Sequence, residues 1–131
     1  MAINYSMKVL VVDDMMTMRK IISKNMAQMG FTNITEAEDG AKAWALIAKA
    51  HQEGDPFGLI VSDWNMPKMD GLELLIKVRE TEGVKTTPFL MVTAEAESSN
   101  VIKVVKAGVS NFIVKPFTPD TLTSKIKKIF S

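Results

Sequence analysis

Short apolar runs alternate along the chain with longer segments whose apolar residues recur at helical spacing. The short runs are rich in Val, Ile, Leu and Phe and hold too few residues for a helix. They predict five strands, at residues 8–12, 34–37, 59–62, 89–92 and 112–114. The longer amphipathic segments predict five helices, at residues 18–29, 41–50, 72–80, 100–107 and 122–130.

Residue types at two helix ends agree with these boundaries. Gly30 follows Met29, at the position where a left-handed residue commonly ends a helix. Thr118 is suited to cap the free amide groups of the last helix, and Pro119 then takes the first helical position, which needs no N–H donor. The first and last helices are therefore marked by local chemistry as well as by hydrophobic period.

The alternation of strands and helices predicts the fold class. Strands that are apolar on both faces indicate a parallel sheet covered by helices on each side. No repeat, low-complexity tract or Pro/Ser-rich linker interrupts the pattern, so we interpret residues 1–131 as one α/β domain with a doubly wound five-stranded sheet. Ligands of such sheets bind at the carboxyl ends of the strands, which makes the residues there the first candidates for function.

Composition removes several classes of function. The chain has 131 residues, no Cys and one histidine, His51. It therefore has no thiolate nucleophile, no disulfide and no site that needs two histidines. The net charge of +1 argues against nucleic acid as a partner. No export signal is visible and no apolar run approaches the ~20 residues of a membrane span, so we expect a cytoplasmic monomer.

Five polar residues stand at the carboxyl ends of four predicted strands. Asp13 and Asp14 follow the first strand, Asp63 the third, Thr93 the fourth and Lys115 the fifth. Three carboxylates in one crevice repel one another unless a cation neutralises them, and an oxygen-only site with few protein ligands suits Mg²⁺. The sequence therefore predicts a magnesium site at this edge of the sheet.

The same crevice is suited to phosphoryl transfer. A carboxylate such as that of Asp63 can attack phosphorus when positive charge neutralises the transferring group, and Lys115 and a metal ion supply that charge. The hydroxyl of Thr93 is placed to donate to a phosphoryl oxygen. Taken singly, each residue has a plainer interpretation, because Asp and Lys-Pro are common in turns and Thr is common in strands. Their joint occurrence at strand ends favours the functional interpretation.

The motifs at these strand ends resemble the response-regulator receiver family, most closely its single-domain chemotaxis members of the CheY type. The motifs are Val11-Val12-Asp13-Asp14, Asp63-Trp64-Asn65-Met66-Pro67, Met69-Asp70-Gly71, Thr93-Ala94-Glu95 and Lys115-Pro116-Phe117. The resemblance covers essentially the whole chain. It implies a flavodoxin-like (βα)5 fold, the strand order 2-1-3-4-5 and a cis peptide bond before Pro116.

The resemblance also implies roles for residues of the site. Asp63 would be the phosphoacceptor, and Asp14 and Asp63 would ligate Mg²⁺ together with the backbone carbonyl of Asn65. Asp13 would assist through water, and Lys115 would pair with the phosphoryl group. We further expect Trp64, next to the phosphoacceptor, to be partly exposed over the pocket.

A switch pair and an output surface follow from the same resemblance. Thr93 would be the switch hydroxyl and Phe112 the switch aromatic, although chemotaxis members usually carry Tyr there and Phe112 is also consistent with plain core packing. The output surface would lie on the fourth helix, fifth strand and fifth helix, in a part of the chain rich in lysine. Its residues would be Ala96, Val101, Phe112, Val114, Lys125 and Lys128.

The leading hypothesis is a phosphorylation-gated binding protein, not a turnover enzyme. The implied partners are a histidine kinase of the CheA type and a flagellar motor switch protein of the FliM type. The alternative within the family is a phosphorelay carrier or phosphate sink without a motor target. A Mg²⁺-dependent phosphohydrolase would need an acid where Asn65 stands, and a flavin module would need a Ser/Thr/Gly-rich loop after the first strand, which is absent.

Overall fold

The computed structural model describes residues 3–94 and 98–131 and shows five strands alternating with five helices. The strands are β1 (Val9–Val12), β2 (Ile34–Ala37), β3 (Leu59–Asp63), β4 (Phe89–Thr93) and β5 (Asn111–Val114). The helices are α1 (Met16–Met29), α2 (Gly40–Gln52), α3 (Gly71–Glu80), α4 (Ser98–Lys106) and α5 (Pro119–Ile129). In these parts of the chain, no helix combines the length and the apolar character that crossing a membrane requires.

All strand pairs are parallel, and the strand order is β2-β1-β3-β4-β5. The predicted doubly wound, flavodoxin-like fold is therefore confirmed. The order brings the carboxyl ends of β1 and β3 side by side at the centre of the sheet. From this pair, β2 is added on the side of β1, and β4 and β5 are added on the side of β3. Such folds hold their ligands where the strand order changes direction in this way.

Two apolar layers enclose the sheet. Alternate residues of β1 point to opposite faces, so that Leu10 and Val12 belong to one layer and Val9 and Val11 to the other. Helices α2, α3 and α4 cover the first face, and α1 and α5 cover the second. Strands β1, β3 and β4 are buried along their whole length, which explains why their sequences show no polar alternation.

At their carboxyl ends, two strands run one residue further than the hydrophobic pattern predicts. Asp63 is the last residue of β3 and pairs with Val92, while Thr93 is the last residue of β4 and pairs with Val114. The backbone ladder continues past the last apolar side chain because each neighbouring strand still offers a partner. Both polar side chains are therefore held by the sheet itself instead of by a loop.

Capping residues set the ends of three helices. Gly30 ends α1 with φ of 121°, as its sequence position predicts. Asp70 caps α3 by accepting from the amide of Glu73, whose side chain accepts from the amide of Asp70. Thr118 caps α5 by accepting from the amide of Thr121. The Asp70 cap ends the loop that follows Asp63, and α3 begins at the next residue.

Candidate functional site

Three carboxylates converge at the carboxyl ends of β1 and β3. Carboxylate oxygens of Asp13, Asp14 and Asp63 all lie within 4.8 Å of one another. Asp13 and Asp63 are buried and Asp14 is exposed, so the cluster has a closed inner side and an open outer side. The sheet order produces this approach, because β1 and β3 are neighbours although Asp13 and Asp63 are far apart in sequence.

Lys115, which directly follows β5, brings an ammonium group into the cluster. Its Nζ lies 3.3 Å from an oxygen of Asp13 and 3.3 Å from an oxygen of Asp63. Its backbone amide donates to the carbonyl of Thr93 over 2.8 Å, and the following peptide bond, to Pro116, is cis. The lysine is thus held to the end of β4 while its side chain bridges the two buried acids.

The environment of Asp63 disfavours its ionised form relative to a carboxylate in water and raises its pKa. Burial is the main reason that the pKa of Asp63 lies above its ordinary value, and the negative charge of Asp13 adds to the effect. The ammonium of Lys115 and the amide of Trp64, which donates to Asp63 over 2.9 Å, act in the opposite direction. The single charge of Lys115 does not offset three clustered carboxylates, so a further positive charge would stabilise the ionised site.

The donor set fits a hard divalent cation. It offers carboxylate oxygens and no nitrogen or sulfur ligand, it is open to water on the side of Asp14, and it carries excess negative charge. These are the properties that suit Mg²⁺, which keeps several waters and takes few protein ligands. Asn65 is exposed and follows Asp63 by two residues.

The loop after β3 passes close to the phosphoacceptor candidate because Gly71 has no side chain. The amide of Gly71 donates to the carbonyl of Trp64 over 2.7 Å. A Cβ at Gly71 would collide with the carbonyl oxygen of Asp63 and come within 2.9 Å of the Cα of Trp64. Sequence reasoning noted Gly71 within a motif but gave it no role, since the close approach depends on tertiary structure.

Sequence reasoning was wrong about Trp64. The residue is 8% exposed and belongs to the apolar layer beneath α2, α3 and α4. The loop that follows it folds back, as the hydrogen bond from Gly71 shows, and directs the indole into the core. Trp64 therefore does not stand over the pocket, although it is joined to Asp63 through the backbone.

Sequence reasoning also missed the pair formed by Arg19 and Glu36. Arg19 Nη1 donates to the carbonyl of Asp13 over 2.7 Å, and Arg19 Nε donates to Glu36 over 3.3 Å. A charged residue on the first helix and another on the second strand carry no spacing signal that would join them. The contact is visible only once β2 is placed beside β1.

The two switch candidates lie on adjacent strands. Thr93 is buried at the end of β4. Phe112 pairs with Met91. It lies two residues before Val114, which pairs with Thr93. The ring of Phe112 is partly buried against the apolar layer beneath α4, and the ammonium of Lys125 lies 5.4 Å from its centroid.

The predicted output surface is brought together in part. Phe112, Val114 and Lys125 are among the residues that line one open cavity of about 320 Å³ between β5 and α5. Lys128 is exposed on α5 and Val101 is partly buried on α4, and neither lines this cavity. Ala96 lies outside the described residues.

The comparison with protein families identifies the class. Residues 9–127 match the family described as the response regulator receiver domain, and the chain belongs to that family. It is 46% identical over 128 residues to chemotaxis protein CheY-3 of Vibrio cholerae, covering 98% of this chain and 95% of that protein. It is 47% identical over 124 residues to chemotaxis protein CheY of Pseudomonas aeruginosa, covering 95% of this chain and 96% of that protein.

Solved structures agree with this assignment. Chemotaxis response regulator CheY4 of Vibrio cholerae matches with a TM-score of 0.84 and 35% identity, covering 95% of this chain and 98% of that chain. The receiver domain of the histidine kinase CKI1 from Arabidopsis thaliana, solved in complex with Mg²⁺ and BeF₃⁻, matches with a TM-score of 0.81 and 27% identity. That match covers 95% of this chain and 89% of the other. The predicted family is thereby confirmed.

Proposed function

We propose that this chain is a stand-alone response regulator that accepts a phosphoryl group on Asp63 and thereby changes its binding to a target protein. The observation that carries the proposal is the contact of Lys115 with both buried acids, at 3.3 Å from each, beside a third carboxylate. This arrangement combines a nucleophile, a fixed positive charge and a cation site. The chain acts as a signalling protein, which promotes its own phosphorylation and dephosphorylation, and not as a turnover enzyme.

The reaction is an in-line transfer to a carboxylate oxygen of Asp63. That oxygen attacks the phosphorus of a phosphohistidine, the P–N bond breaks, and the imidazole leaves with the electron pair. Asp63 is suited to the attack because β3 fixes its backbone and the Trp64 amide orients one of its oxygens. The second oxygen is then available for the new bond.

Asp13, Asp14, Asp63 and the backbone carbonyl of Asn65 are the groups that would hold Mg²⁺, with Asp13 acting through water. When bound, the ion neutralises negative charge on the phosphoryl oxygens and on the acids. This assignment is supported by the oxygen-only donor set and by the related CKI1 receiver domain, whose structure contains Mg²⁺ and BeF₃⁻.

Lys115 and Thr93 convert the new charge into a conformational signal. Lys115 shifts its ion pair from the Asp63 carboxylate to the phosphoryl group, and the Thr93 hydroxyl donates to a phosphoryl oxygen. Movement of Thr93 towards the site leaves space that the ring of Phe112 fills from the neighbouring strand. The strand register supports this coupling, because Phe112 lies two residues before Val114, the residue that pairs with Thr93.

The proposed setting is the cytoplasm, with a histidine kinase of the CheA type as phosphodonor and a flagellar motor switch protein of the FliM type as target. The support is the similarity to proteins named for chemotaxis. The surface that would bind the target comprises Ala96, Val101, Phe112, Val114, Lys125 and Lys128. A phosphorelay carrier without a motor target is the second candidate, and it is favoured by the absence of a hydroxyl on Phe112.

Intact-mass measurement after incubation with acetyl phosphate and Mg²⁺ tests the proposal. We expect one phosphoryl adduct in the wild type, none in Asp63→Asn and none when the metal is removed with a chelator. Asp120→Asn, which removes an exposed carboxylate from the first turn of α5, is the matched control and should keep the adduct. An adduct that persists in Asp63→Asn would reject Asp63 as the acceptor.

A further inference from the structure

We propose that Arg19, anchored by Glu36, is a positioning residue that fixes Asp13 and Asp14 in the geometry required for a divalent cation. The inference rests on the proposed function, because it concerns the same metal site. Arg19 and Glu36 contribute no oxygen to the cluster of Asp13, Asp14 and Asp63.

Both backbone groups of Asp13 are held. Its amide donates to the carbonyl of Ala37 on β2 over 3.2 Å, and its carbonyl accepts from Arg19 Nη1 over 2.7 Å. One side-chain oxygen of Asp13 also accepts from the amide of Met15 over 2.9 Å. Among these donors, Arg19 is the one that donates from a side chain. Its hydrogen bond fixes the peptide group that joins Asp13 to Asp14.

Glu36 sets the position of the guanidinium. It lies on β2 opposite Val11, two residues before Asp13, and accepts from Arg19 Nε over 3.3 Å. It also accepts from Lys20 Nζ over 3.1 Å and from Ser23 Oγ over 3.3 Å. The side chains of Arg19 and Glu36 are 14% and 23% exposed, so solvent competes little for their contact.

The geometry requires arginine in particular. A guanidinium is planar and presents several N–H donors in fixed directions, so one group can contact the Asp13 carbonyl and the Glu36 carboxylate together. A lysine at this position keeps the charge but has one nitrogen on a flexible chain. The orientation of the Asp13 peptide would then no longer be tied to β2.

Positioning and charge predict opposite effects on metal binding. If Arg19 acted only through its positive charge, removing that charge from the neighbourhood of a cation site would strengthen Mg²⁺ binding. If Arg19 positions the acids, its loss weakens Mg²⁺ binding, because the two carboxylates no longer share a fixed geometry. The direction of the change in affinity therefore separates the two roles.

The test is calorimetric titration of the full chain with MgCl₂. Arg19→Ala should raise the Mg²⁺ Kd about tenfold, the lower end of the effect found when partners of metal ligands are removed. The matched control is Lys20→Ala, which removes an equal charge that also contacts Glu36 but does not touch Asp13. The control should bind Mg²⁺ as the wild type does.

Arg19→Lys keeps the protein testable if the alanine variant fails to fold. It preserves the charge, and its Mg²⁺ Kd should still rise several-fold, while urea unfolding without metal should show a native-like transition. A lysine or alanine variant that folds and binds Mg²⁺ as tightly as the wild type, or more tightly, overturns the role of Arg19. A wild type that binds no Mg²⁺ overturns the proposed function itself and this inference with it.

Discussion

The acid cluster at the ends of β1 and β3 and the surface formed by β5 and α5 are held in different ways. Asp13 and Asp63 are buried, both pair with the ammonium of Lys115, and a backbone amide donates to each carboxylate. Phe112 and Lys125 are partly exposed and meet through a ring-to-ammonium contact beside an open cavity. The side chains of the first region have directional contacts that fix geometry, whereas the side chains of Phe112 and Lys125 have a packing contact that permits rearrangement.

This difference matches what each region has to do under the proposed function. A cation site loses affinity when its ligands are displaced by a fraction of an ångström, so fixed carboxylates are an advantage. A docking surface that changes with phosphorylation needs side chains with more than one packed arrangement. We therefore expect substitutions in the acid cluster to have large effects on metal binding, and substitutions on the β5 and α5 surface to have small ones.

The largest expected effect is the loss of a proposed metal ligand. Asp14→Ala should weaken Mg²⁺ binding by about 100-fold, because it removes an exposed carboxylate that completes the cluster. Asp120→Ala, which removes an exposed carboxylate from α5, should leave Mg²⁺ affinity unchanged. Calorimetric titration measures both variants, and equal affinities in the two would abolish the proposed distinction between the regions.

Next in size is the effect of adding a methyl group at Gly71. A Cβ there collides with the Asp63 carbonyl, so Gly71→Ala should lower the free energy of unfolding by about 2–3 kcal/mol and also weaken Mg²⁺ binding. Gly54→Ala is the control, since a Cβ there meets no atom within 4 Å and the cost arises only from its φ of 74°. We expect a loss of about 1 kcal/mol at Gly54.

Urea unfolding with and without Mg²⁺ separates these two glycine variants. Both should lose stability, but only the Gly71 variant should also show weaker stabilisation by the metal. If Gly54→Ala lowered Mg²⁺ affinity as much as Gly71→Ala, the close approach behind Asp63 would have no special importance for the site.

A smaller effect concerns the pH dependence of stability without metal. The pKa of Asp63 is raised in the folded state, so ionised Asp63 destabilises the fold above that pKa, and protonation relieves the cost below it. Asp63→Asn should therefore raise the free energy of unfolding on the order of 1 kcal/mol at neutral pH. The gain should disappear as the pH falls through the raised pKa towards the ordinary value of 3.8.

Urea unfolding of wild type and Asp63→Asn at a series of pH values measures this gain. Asp120→Asn on α5 should give no comparable increase at any pH, because its carboxylate is exposed. A gain for Asp63→Asn that stayed constant down to acid pH would show that charge is not its origin.

The smallest expected effect on stability is that of a hydroxyl group at Phe112. The ring is only partly buried, so Phe112→Tyr should change the free energy of unfolding by less than about 0.5 kcal/mol. It should strengthen phosphorylation-dependent binding of a peptide from a flagellar switch protein, because the added hydroxyl offers a hydrogen bond in the inward position. Fluorescence anisotropy measures that binding. For stability, a loss of more than about 2 kcal/mol in the free energy of unfolding would show that Phe112 is tightly packed core.

Most of the fold was predictable from the sequence because each element has a strong local signal. The apolar runs of β1, β3 and β4 and the residues Gly30 and Thr118 mark elements without tertiary information. The alternation of strands and helices does not specify which strands are neighbours, and the order came from family resemblance. The last residues of β3 and β4 were missed because the ladder extends beyond the apolar side chains.

The site was predictable where position along a strand decides the outcome. Asp13, Asp63 and Lys115 meet because parallel strands bring their carboxyl ends to one edge. The burial of Trp64 and the close approach of Gly71 depend on how one loop folds back, which no period in the sequence encodes. The contact from Arg19 to the Asp13 carbonyl likewise requires the relative placement of a helix and a strand.

The central claim is that Asp63, the neighbouring acids and Lys115 together form one site for a cation and a phosphoryl group. A crystal structure of the chain with Mg²⁺ and BeF₃⁻, a mimic of the phosphoryl group, tests that claim most directly. We predict BeF₃⁻ bonded to Asp63, the ammonium of Lys115 in contact with a fluoride, and Mg²⁺ beside Asp14. A structure in which BeF₃⁻ is bound elsewhere, or in which Lys115 points away from Asp63, would contradict the account.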